Sequence, residues 1–329
     1  MKKMVLAIGG NSLIHSGEKG TIDEQLANAR RVAAQIVHLI RNGYHMVLTH
    51  GNGPQVGAEL LLSERATGVV PRHPLDVCDA CTQGEMGYLL QLALHSELKQ
   101  ARLHVPVATI VTQCVVSPGD PAMKNPSKPV GRFYTRAEAE ERRRQYDWTI
   151  LMDADRGYRR VVPSPHPREI IELEAIQHLF KSGVLVIACG GGGIPVAWIN
   201  GLLVGVEAVI DKDLASSLLA SKLGVETFVI ATDTDYVYLD YKKSSQRPLL
   251  RIDVEQFERH FQAGQFPPGS MGPKVESVLR FLRGGGREAI IASVDDLFAA
   301  VVGAAGTHVL PKLESGSQSE TRERRIAAR

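Results

Sequence analysis

The chain has 329 residues, and its 44% hydrophobic content is enough to build the core of one large domain or two. Lys and Arg total 38 against 36 Asp and Glu, and the net charge of +2 argues against nucleic acid or an anionic membrane as a partner. No apolar stretch approaches the ~18 residues of a membrane span, and the N-terminal apolar run is too short for a signal peptide. Four cysteines fit a reducing compartment, so we expect a cytoplasmic protein.

Short apolar runs recur along the chain, separated by stretches of helical periodicity. Because the runs lack polar alternation, they are typical of parallel strands covered by helices on both faces. The predicted strands are residues 3–8, 45–50, 106–113, 184–189, 227–232 and 288–293. A first helix follows the Thr21–Glu24 capping box and ends at Asn42-Gly43. Further helices are predicted at residues 84–99, 168–183, 214–223, 254–263 and 275–283. This alternation predicts an α/β protein with a mainly parallel sheet.

Two segments depart from this alternation. Residues 117–167 are rich in proline and contain an Arg- and Glu-rich helix after Thr135, which begins a second capping box. We interpret this segment as a protruding subdomain or lid. Asn200-Gly201 lies between apolar residues and predicts a β-hairpin.

The cysteines offer one possible metal or redox motif. Cys78 and Cys81 form a C-x-x-C pair, whereas Cys114 and Cys189 are isolated. A structural zinc site needs about four ligands, so we favour the alternative that the cysteines are small buried residues.

Glycine-rich loops follow three of the predicted strands. They are Gly9-Gly10-Asn11, Gly51-Asn52-Gly53 and the run at residues 190–193. Ligands of open α/β sheets bind at the carboxyl ends of the strands, and glycine lets backbone N–H groups approach a phosphate closely. The loops therefore predict an anion or nucleotide site, with tight-turn packing as the alternative. A Gly-Lys pair, H-R-D and D-F-G are all absent, which excludes a P-loop and a protein kinase.

Three lysines are the strongest catalytic candidates. Lys128 lies on the proposed subdomain, Lys212 lies between Asp211 and Asp213, and Lys274 lies near a predicted helix start. A lysine at a helix N-terminus is unfavourable unless it meets an anion, although Lys212 could simply pair with its neighbouring aspartates.

Lysines suit phosphoryl transfer, which depends on positioning and positive charge. An acceptor that is already an ionised carboxylate needs no general base. For His50, bonding of the backbone at the end of a strand is favoured over a catalytic role.

A series of motifs in this order resembles the carbamate kinases of the amino-acid-kinase superfamily, over about residues 3–310. The motifs are GGNSL, HGNGPQVG, CTQGEMGY, NPSKPVGRFY, RRVVPSP, CGGGGIPV, GVEAVIDKDLAS, TDTDYVY and GSMGPKVES. The resemblance implies a three-layer αβα sandwich with a mainly parallel central sheet and a small protruding subdomain, assembled as a homodimer. It implies a phosphotransferase with a carboxyl-group acceptor, catalysing ATP + carbamate ⇌ ADP + carbamoyl phosphate with Mg²⁺. In this family the reaction often runs toward ATP, in arginine or purine-derived catabolism.

The resemblance also assigns site residues. Carbamate and the phosphoryl group would be bound by Gly9, Gly10, Asn11, Gly51, Asn52 and Gly53. Lys128 would reach in from the subdomain, Lys212 would stabilise the transferring group, and Lys274 would neutralise the terminal phosphates. Asp211 would hold the lysines in place. The nucleotide would be bound by Thr232, Asp233, Asp235, Tyr238, Met271 and Gly272. No protein side chain is assigned as a metal ligand, since Mg²⁺ would arrive with the nucleotide phosphates.

The same resemblance predicts the domain organisation. Residues 1–313 would form one domain, with a carbamate- and phosphoryl-binding half at 1–190 and a nucleotide-binding half at 191–313. The polar basic tail at 314–329 matches nothing in the family and is expected to be disordered.

One position favours carbamate within the superfamily. Acetylglutamate and aspartate kinases resemble each other in having Lys two residues before the first Gly-Gly, where this chain has Ala7. Arg132, Glu85 and Cys81 depart from the family pattern, and the first two could alter lid closure or the acceptor pocket. The alternatives are a kinase of the same fold for another small carboxylate and a non-catalytic nucleotide-binding protein.

Overall fold

A computed structural model describes residues 1–10, 13–15, 17–152 and 157–311. Over these residues the strands are β1 (Lys2–Ile8), β2 (Tyr44–His50), β3 (Val107–Thr109), β4 (Gln113–Val115), β5 (Lys128–Tyr134), β6 (Ile150–Met152), β7 (Tyr158–Val162), β8 (Glu169–Ile170), β9 (Leu185–Ile187), β10 (Ile194–Ile199), β11 (Leu202–Gly205), β12 (Thr227–Thr232), β13 (Val237–Leu239), β14 (Arg247–Leu249), β15 (Arg251–Asp253), β16 (Glu288–Ser293) and β17 (Thr307–Leu310). The α-helices are α1 (Ile22–Arg41), α2 (Gly53–Arg65), α3 (Leu75–Gln100), α4 (Arg136–Tyr146), α5 (Leu173–Lys181), α6 (Lys212–Leu223), α7 (Val254–Gln262), α8 (Met271–Arg283) and α9 (Leu297–Val301).

The main sheet has eight strands in the order β15-β17-β16-β12-β1-β2-β9-β3. Neighbouring strands are parallel except β16 and β17, so β15 and β17 run opposite to the other six. The chain passes from β1 to β2 on one side and reaches β12 on the other side only later. The order of strands therefore reverses beside β1, and such a reversal places a ligand crevice at the carboxyl edge of the sheet.

Alternate residues of β1 face two separate hydrophobic cores. Val5 and Ala7 pack with buried residues of α5, α6, α7 and α8. Met4, Leu6 and Ile8 pack with α1, α3 and α9 on the other face. Side chains of a strand alternate between the faces of its sheet, so this apolar run is buried on both sides. The predicted αβα sandwich with a mainly parallel sheet is confirmed.

The predicted strand at 106–113 is wrong in its extent. Only Val107–Thr109 belongs to the main sheet, and Gln113–Val115 forms β4 of a second sheet ordered β11-β10-β4-β8. Thr112 lies at the break, where its N–H donates to Gln83 Oε1 at 2.7 Å and its carbonyl accepts from Gln83 Nε2 at 3.0 Å. A side-chain amide thus satisfies the backbone at the point where the chain changes sheets.

Several helix starts also differ from the predictions. The helix expected at 84–99 begins at Leu75, nine residues earlier, and continues through Gly84 and Gly87. The helix expected from 168 begins at Leu173, because Glu169–Ile170 pairs with β4 as a strand. Helices expected from 214 and 275 begin earlier, at Lys212 and Met271. Helix α2, which begins inside the second glycine loop, was not predicted.

The predicted hairpin and both predicted capping boxes are confirmed. Thr21 and Glu24 cap α1 reciprocally, and Thr135 caps α4 with its partner three residues on. Asn200 and Gly201 have positive φ values of 51° and 79° and connect the antiparallel strands β10 and β11.

The segment at 117–167 carries its own three-stranded sheet, ordered β5-β7-β6, together with α4. The Tyr134 hydroxyl donates to Glu64 on α2 at 2.9 Å, and Arg160 pairs with Glu207 at 2.5 Å. These contacts join the subdomain to the body of the molecule. The boundaries proposed for the domain and its halves stay predictions, and the tail at 314–329 lies outside the described residues.

Cys78, Cys114 and Cys189 are buried as expected, but Cys81 is exposed on the outer side of α3, so that part of the prediction is wrong. In the described part of the chain, none of the helices is long and apolar enough to cross a membrane.

Candidate active site

The carboxyl ends of β1, β2 and β12 open into one cavity of about 380 Å³. Among the described residues, its walls include Gly9, Gly10, Gly51, Asn52, Gly53, Lys128, Arg159, Gly191, Asp211, Lys212, Asp213, Thr232, Asp233, Ser270 and Lys274. The N-terminal ends of α2, α6 and α8 contribute to these walls. Each helix N-terminus carries partial positive charge and unsatisfied N–H groups, which makes the cavity suited to an anion.

The first two glycine loops touch each other. A Cβ added to Gly51 would lie 2.8 Å from the Gly10 nitrogen and 3.5 Å from Cδ of Lys212. Gly51 donates its N–H to Ile8 at 3.0 Å and Gly9 donates to Ala231 at 2.9 Å, so these two amides extend the sheet. The loops are thereby fixed by the strands, and the Lys212 stem packs directly against their junction.

Two lysines share one carboxylate. Lys212 Nζ lies 2.5 Å from Asp213 Oδ1, and Lys274 Nζ lies 2.9 Å from Asp213 Oδ2. The side chains of Lys212, Lys274 and Asp213 are 11%, 15% and 5% exposed. The alternative that Lys212 pairs with a neighbouring aspartate therefore holds for Asp213, but the same carboxylate also draws Lys274 from α8 into the cavity.

Burial and ion pairing shift the pKa values of this cluster in opposite directions. Burial lowers the pKa of Lys212, and Asp213 opposes this shift. Burial alone would raise the pKa of Asp213, but Lys212 and Lys274 outweigh it and hold that pKa below its usual range. Burial likewise opposes the charge of Lys274, but Asp213 raises its pKa overall. The geometry places two lysine Nζ atoms around one carboxylate at the cavity wall.

Lys128 lies on the subdomain strand β5 and pairs with a different carboxylate from the other two lysines. Its Nζ lies 2.9 Å from Asp211 Oδ2, and its side chain is 37% exposed. Asp211 also caps α6, since its Oδ1 accepts from the N–H of Asp213 at 2.9 Å. Asp211 was expected to hold the lysines in general, whereas in the structure it pairs with Lys128 and Asp213 holds the other two.

His50 lies behind the loops, at the end of β2. Its Nδ1 lies 3.1 Å from the carbonyl oxygen of Gly51, and burial lowers the pKa of His50 to about 4, so the ring is neutral. The predicted role in strand-end hydrogen bonding is confirmed.

The expected nucleotide-binding residues are only partly brought together. Thr232 and Asp233 line the cavity, whereas Asp235, Tyr238, Met271 and Gly272 do not. Met271 packs against the larger hydrophobic core, and the Gly272 N–H donates to Pro267 at 2.8 Å. Tyr238 is half-buried and lies beside Tyr236 and Tyr241. Asn11 lies outside the described residues.

Arg132 and Glu85, the two family departures expected to affect lid closure or the acceptor pocket, do not line this cavity. Arg132 pairs with Glu138 at 3.0 Å and lines a neighbouring pocket next to α2. Glu85 is half-buried on α3.

Three residues of the site were missed in the sequence. Asp213 stood beside Lys212, but its contact with Lys274 spans 61 positions and gives no local signal. Arg159, on β7, lines the cavity from the subdomain and donates to the carbonyl of Gly131 at 3.1 Å. Asp79 hydrogen-bonds Asn52 from behind the loop. Arg159 and Asp213 lie in noted motifs, RRVVPSP and GVEAVIDKDLAS, which could have drawn attention to them, whereas Asp79 lies in none.

The fold is that of a known family. The model of the amino acid kinase family matches residues 2–293, and the chain belongs to that family. It is 47% identical to the carbamate kinase of Thermococcus kodakarensis over 313 residues, which cover 94% of this chain and 99% of that protein. The carbamate kinase of Clostridium perfringens is 43% identical over 312 residues, with the same coverage.

A solved structure titled carbamate kinase from Giardia lamblia bound to AMP-PNP matches with a TM-score of 0.90 and 42% identity, over 94% of this chain and 98% of that one. The chain is accordingly a kinase of the carbamate kinase group.

Proposed function

We propose that this protein catalyses reversible phosphoryl transfer, ATP + carbamate ⇌ ADP + carbamoyl phosphate. The observation that supports it is the convergence of Lys128, Lys212 and Lys274 with two touching glycine loops in one cavity. The relatives that share 42–47% identity with this chain over most of its length are carbamate kinases or a carbamate kinase-like protein.

Charge stabilisation is the main task of the site. The phosphoryl group in flight spreads negative charge over its equatorial oxygens. Lys212, packed on the junction of the glycine loops, would meet that charge, and Lys274 would meet the terminal phosphates of the nucleotide. Asp213 keeps both ammonium groups in place in advance, so little reorganisation is needed during transfer.

The acceptor side is formed by the glycine loops and the subdomain. The N–H of Gly53 belongs to the first turn of α2, where helix donors lack intrahelical partners. Lys128 and Arg159 add positive charge from the opposite wall. Carbamate is already an anion, so it can attack phosphorus without a base, and neutral, buried His50 is not needed as one.

The nucleotide would bind at Thr232 and Asp233 with Mg²⁺ on its phosphates. Among the described residues, no cluster of three or more side chains could hold a metal ion by itself. Mg²⁺ is commonly bound by one or two carboxylates together with substrate phosphates, so the donors fit an ion carried by the nucleotide. Asp233, an exposed carboxylate on the cavity wall, would be the protein group to add a ligand. When bound, Mg²⁺ would neutralise phosphate charge.

Assembly and physiology are proposed from the resemblance. We propose a cytoplasmic homodimer that works toward ATP synthesis in arginine or purine-derived catabolism. The exposed side chains of Tyr88 and Leu92, one turn apart on α3, give such a partner an apolar surface to cover.

An acceptor panel tests the substrate assignment. ADP release is measured from ATP and Mg²⁺ with ammonium bicarbonate, which supplies carbamate, and with acetate, acetylglutamate or aspartate in its place. We expect turnover with bicarbonate and ammonium together, and none above background with the other acceptors. Faster turnover with another carboxylate would replace carbamate by that substrate.

A further inference from the structure

A buried carboxyl group behind the Gly51–Asn52–Gly53 loop has no part in the proposed transfer. Asp79, in the second turn of α3, is 1% exposed. Its Oδ1 accepts a hydrogen bond from Asn52 Nδ2 at 2.5 Å, while Oδ2 has no hydrogen-bond partner among the described residues. Burying a carboxylate is costly unless cations or several donors surround it. A buried carboxyl group with one unpaired oxygen, directly behind a ligand cavity, therefore points to a functional role.

The acid acts on Asn52, which is held from two sides. Asn52 Nδ2 also donates to Thr82 Oγ1 at 2.8 Å, so both of its hydrogens are used. Across the amide lies Gly191, at a φ of +67°, where any Cβ would overlap the Asn52 side chain. Asn52 is thus fixed between α3 and the 190–193 loop while it forms part of the cavity wall.

We propose that Asp79 is a positioning residue for the acceptor. Its carboxylate holds Asn52, and Asn52 holds the backbone of Gly51 and Gly53 in the orientation that receives carbamate or the carbamoyl end of carbamoyl phosphate. The assignment rests on the proposed function. Asp79 does not itself line the cavity, so it acts through Asn52 and is not catalytic. Because an ionised acceptor makes the stronger hydrogen bond, the bond from Asn52 to Asp79 is stronger when Asp79 is charged.

The carboxyl group of Asp79 also changes its charge near neutral pH. Burial raises the pKa of Asp79 to about 7, against the opposing hydrogen bond from Asn52 and with a smaller contribution from Asp76 on the same helix. Behind it on β4, contact with Cys189 and burial raise the pKa of the Cys114 thiol, which stays neutral. Asp79 is therefore mostly ionised about one pH unit above neutrality and mostly protonated about one unit below it.

The test is the KM for carbamoyl phosphate in ATP formation, at saturating ADP and Mg²⁺, for wild type, Asp79→Asn and Asp76→Asn. Asn keeps the shape and accepts only a neutral hydrogen bond. At about pH 8 we expect Asp79→Asn to raise this KM about fivefold, with kcat and the KM for ADP within about twofold, the scale of one weakened hydrogen bond. At about pH 6, where wild-type Asp79 is protonated, the two proteins should converge.

Asp76→Asn is the matched control at about pH 8, since Asp76 is one turn away on α3 and the Asn52 amide donates to Asp79 and Thr82 instead, and it should follow wild type there. Equal KM values for wild type and Asp79→Asn at both pH values would overturn the assignment, as would the same change in Asp76→Asn. If Asp79→Asn does not fold, Thr82→Val removes the other anchor of Asn52 and should raise the KM equally at both pH values. An unchanged KM there would also overturn it. A folded wild type that forms no ATP would instead overturn the proposed function and, with it, this role.

Discussion

The carboxylate of Asp213 accepts hydrogen bonds from two lysines that belong to different helices. Its pKa is held below the usual range by those lysines. An acid with a lowered folded-state pKa adds stability that is present above its unfolded pKa, about 3.9, and is lost as the pH falls through the folded value. The contribution of Asp213 should therefore be complete at neutral pH.

Asp213→Asn should impair both stability and activity. The variant would leave Lys212 and Lys274 buried beside a neutral amide, and breaking a buried ion pair typically costs about 3 kcal/mol or more. We expect a loss of that order in the free energy of unfolding by urea, and a kcat lowered at least ~10-fold because both lysines lose their fixed positions.

Asp211→Asn is the control, because Asn also caps a helix well and only the half-exposed Lys128 loses its ionic partner. Its loss of stability should be under about 1 kcal/mol. Equal destabilisation by the two substitutions would contradict the central place given to Asp213.

Some residues of the site could be predicted from sequence and others could not. Lys212 and Lys274 stood out because each lies at a helix start, where a cation is unfavourable without an anion, whereas Lys128 stood out by its place on the proposed subdomain. Asp79, by contrast, lies within an ordinary helical stretch, and only the packing of α3 behind the second glycine loop gives it a role. A long-range contact such as Asp213–Lys274 leaves no mark on local periodicity.

At the scale of elements, the two touching glycine loops set the shape of the acceptor site. Gly51 approaches the backbone of Gly10 so closely that a methyl group cannot be accommodated without movement of one loop. Displacements of about 1 Å near reacting groups can cost on the order of 10²-fold in rate.

We therefore expect Gly51→Ala to lower kcat/KM at least ~10²-fold while the protein remains folded. Gly53→Ala adds the same methyl group two residues later, where the added Cβ would meet no atom within 4 Å from the described residues outside its own helix turn and chain neighbours, and should lose much less activity. The comparison requires kcat/KM and a melting temperature for both variants. Similar losses of kcat/KM in both variants would show that the close approach of the two loops does not account for the loss of activity.

Helix starts and turns were predictable where interactions between residues close in sequence determine them. The capping box at Thr21 and the Asn200-Gly201 turn define their structures through nearby atoms alone, and both predictions were correct. The strand at 106–113 was not, because its division depends on Gln83, which bonds the backbone of Thr112 from another element. The start of α8 was placed four residues late because Gly272 and Pro273 are typical of loops, yet both fit within its first turn.

At the scale of the whole molecule, the sheet and the subdomain bring opposite walls of the cavity together. The sheet supplies the glycine loops and the ends of α2, α6 and α8, while the subdomain supplies Lys128 and Arg159. Lys128 reaches Asp211 only because β5 is held against the body, through contacts such as Tyr134 with Glu64. The fold class was predictable from alternating strands and helices, whereas this docking was not, since it depends on contacts between distant segments.

We propose that this cavity moves a phosphoryl group between carbamoyl phosphate and ADP with Lys212 as a charge partner. The most direct measurement is ATP formation from ADP, Mg²⁺ and carbamoyl phosphate by wild type and by Lys212→Ala. We predict rapid ATP synthesis by wild type and a kcat at least ~10²-fold lower in the variant, the scale of one lost transition-state partner. Near-normal turnover by Lys212→Ala, or no ATP from a folded wild type that still binds ADP, would contradict the account.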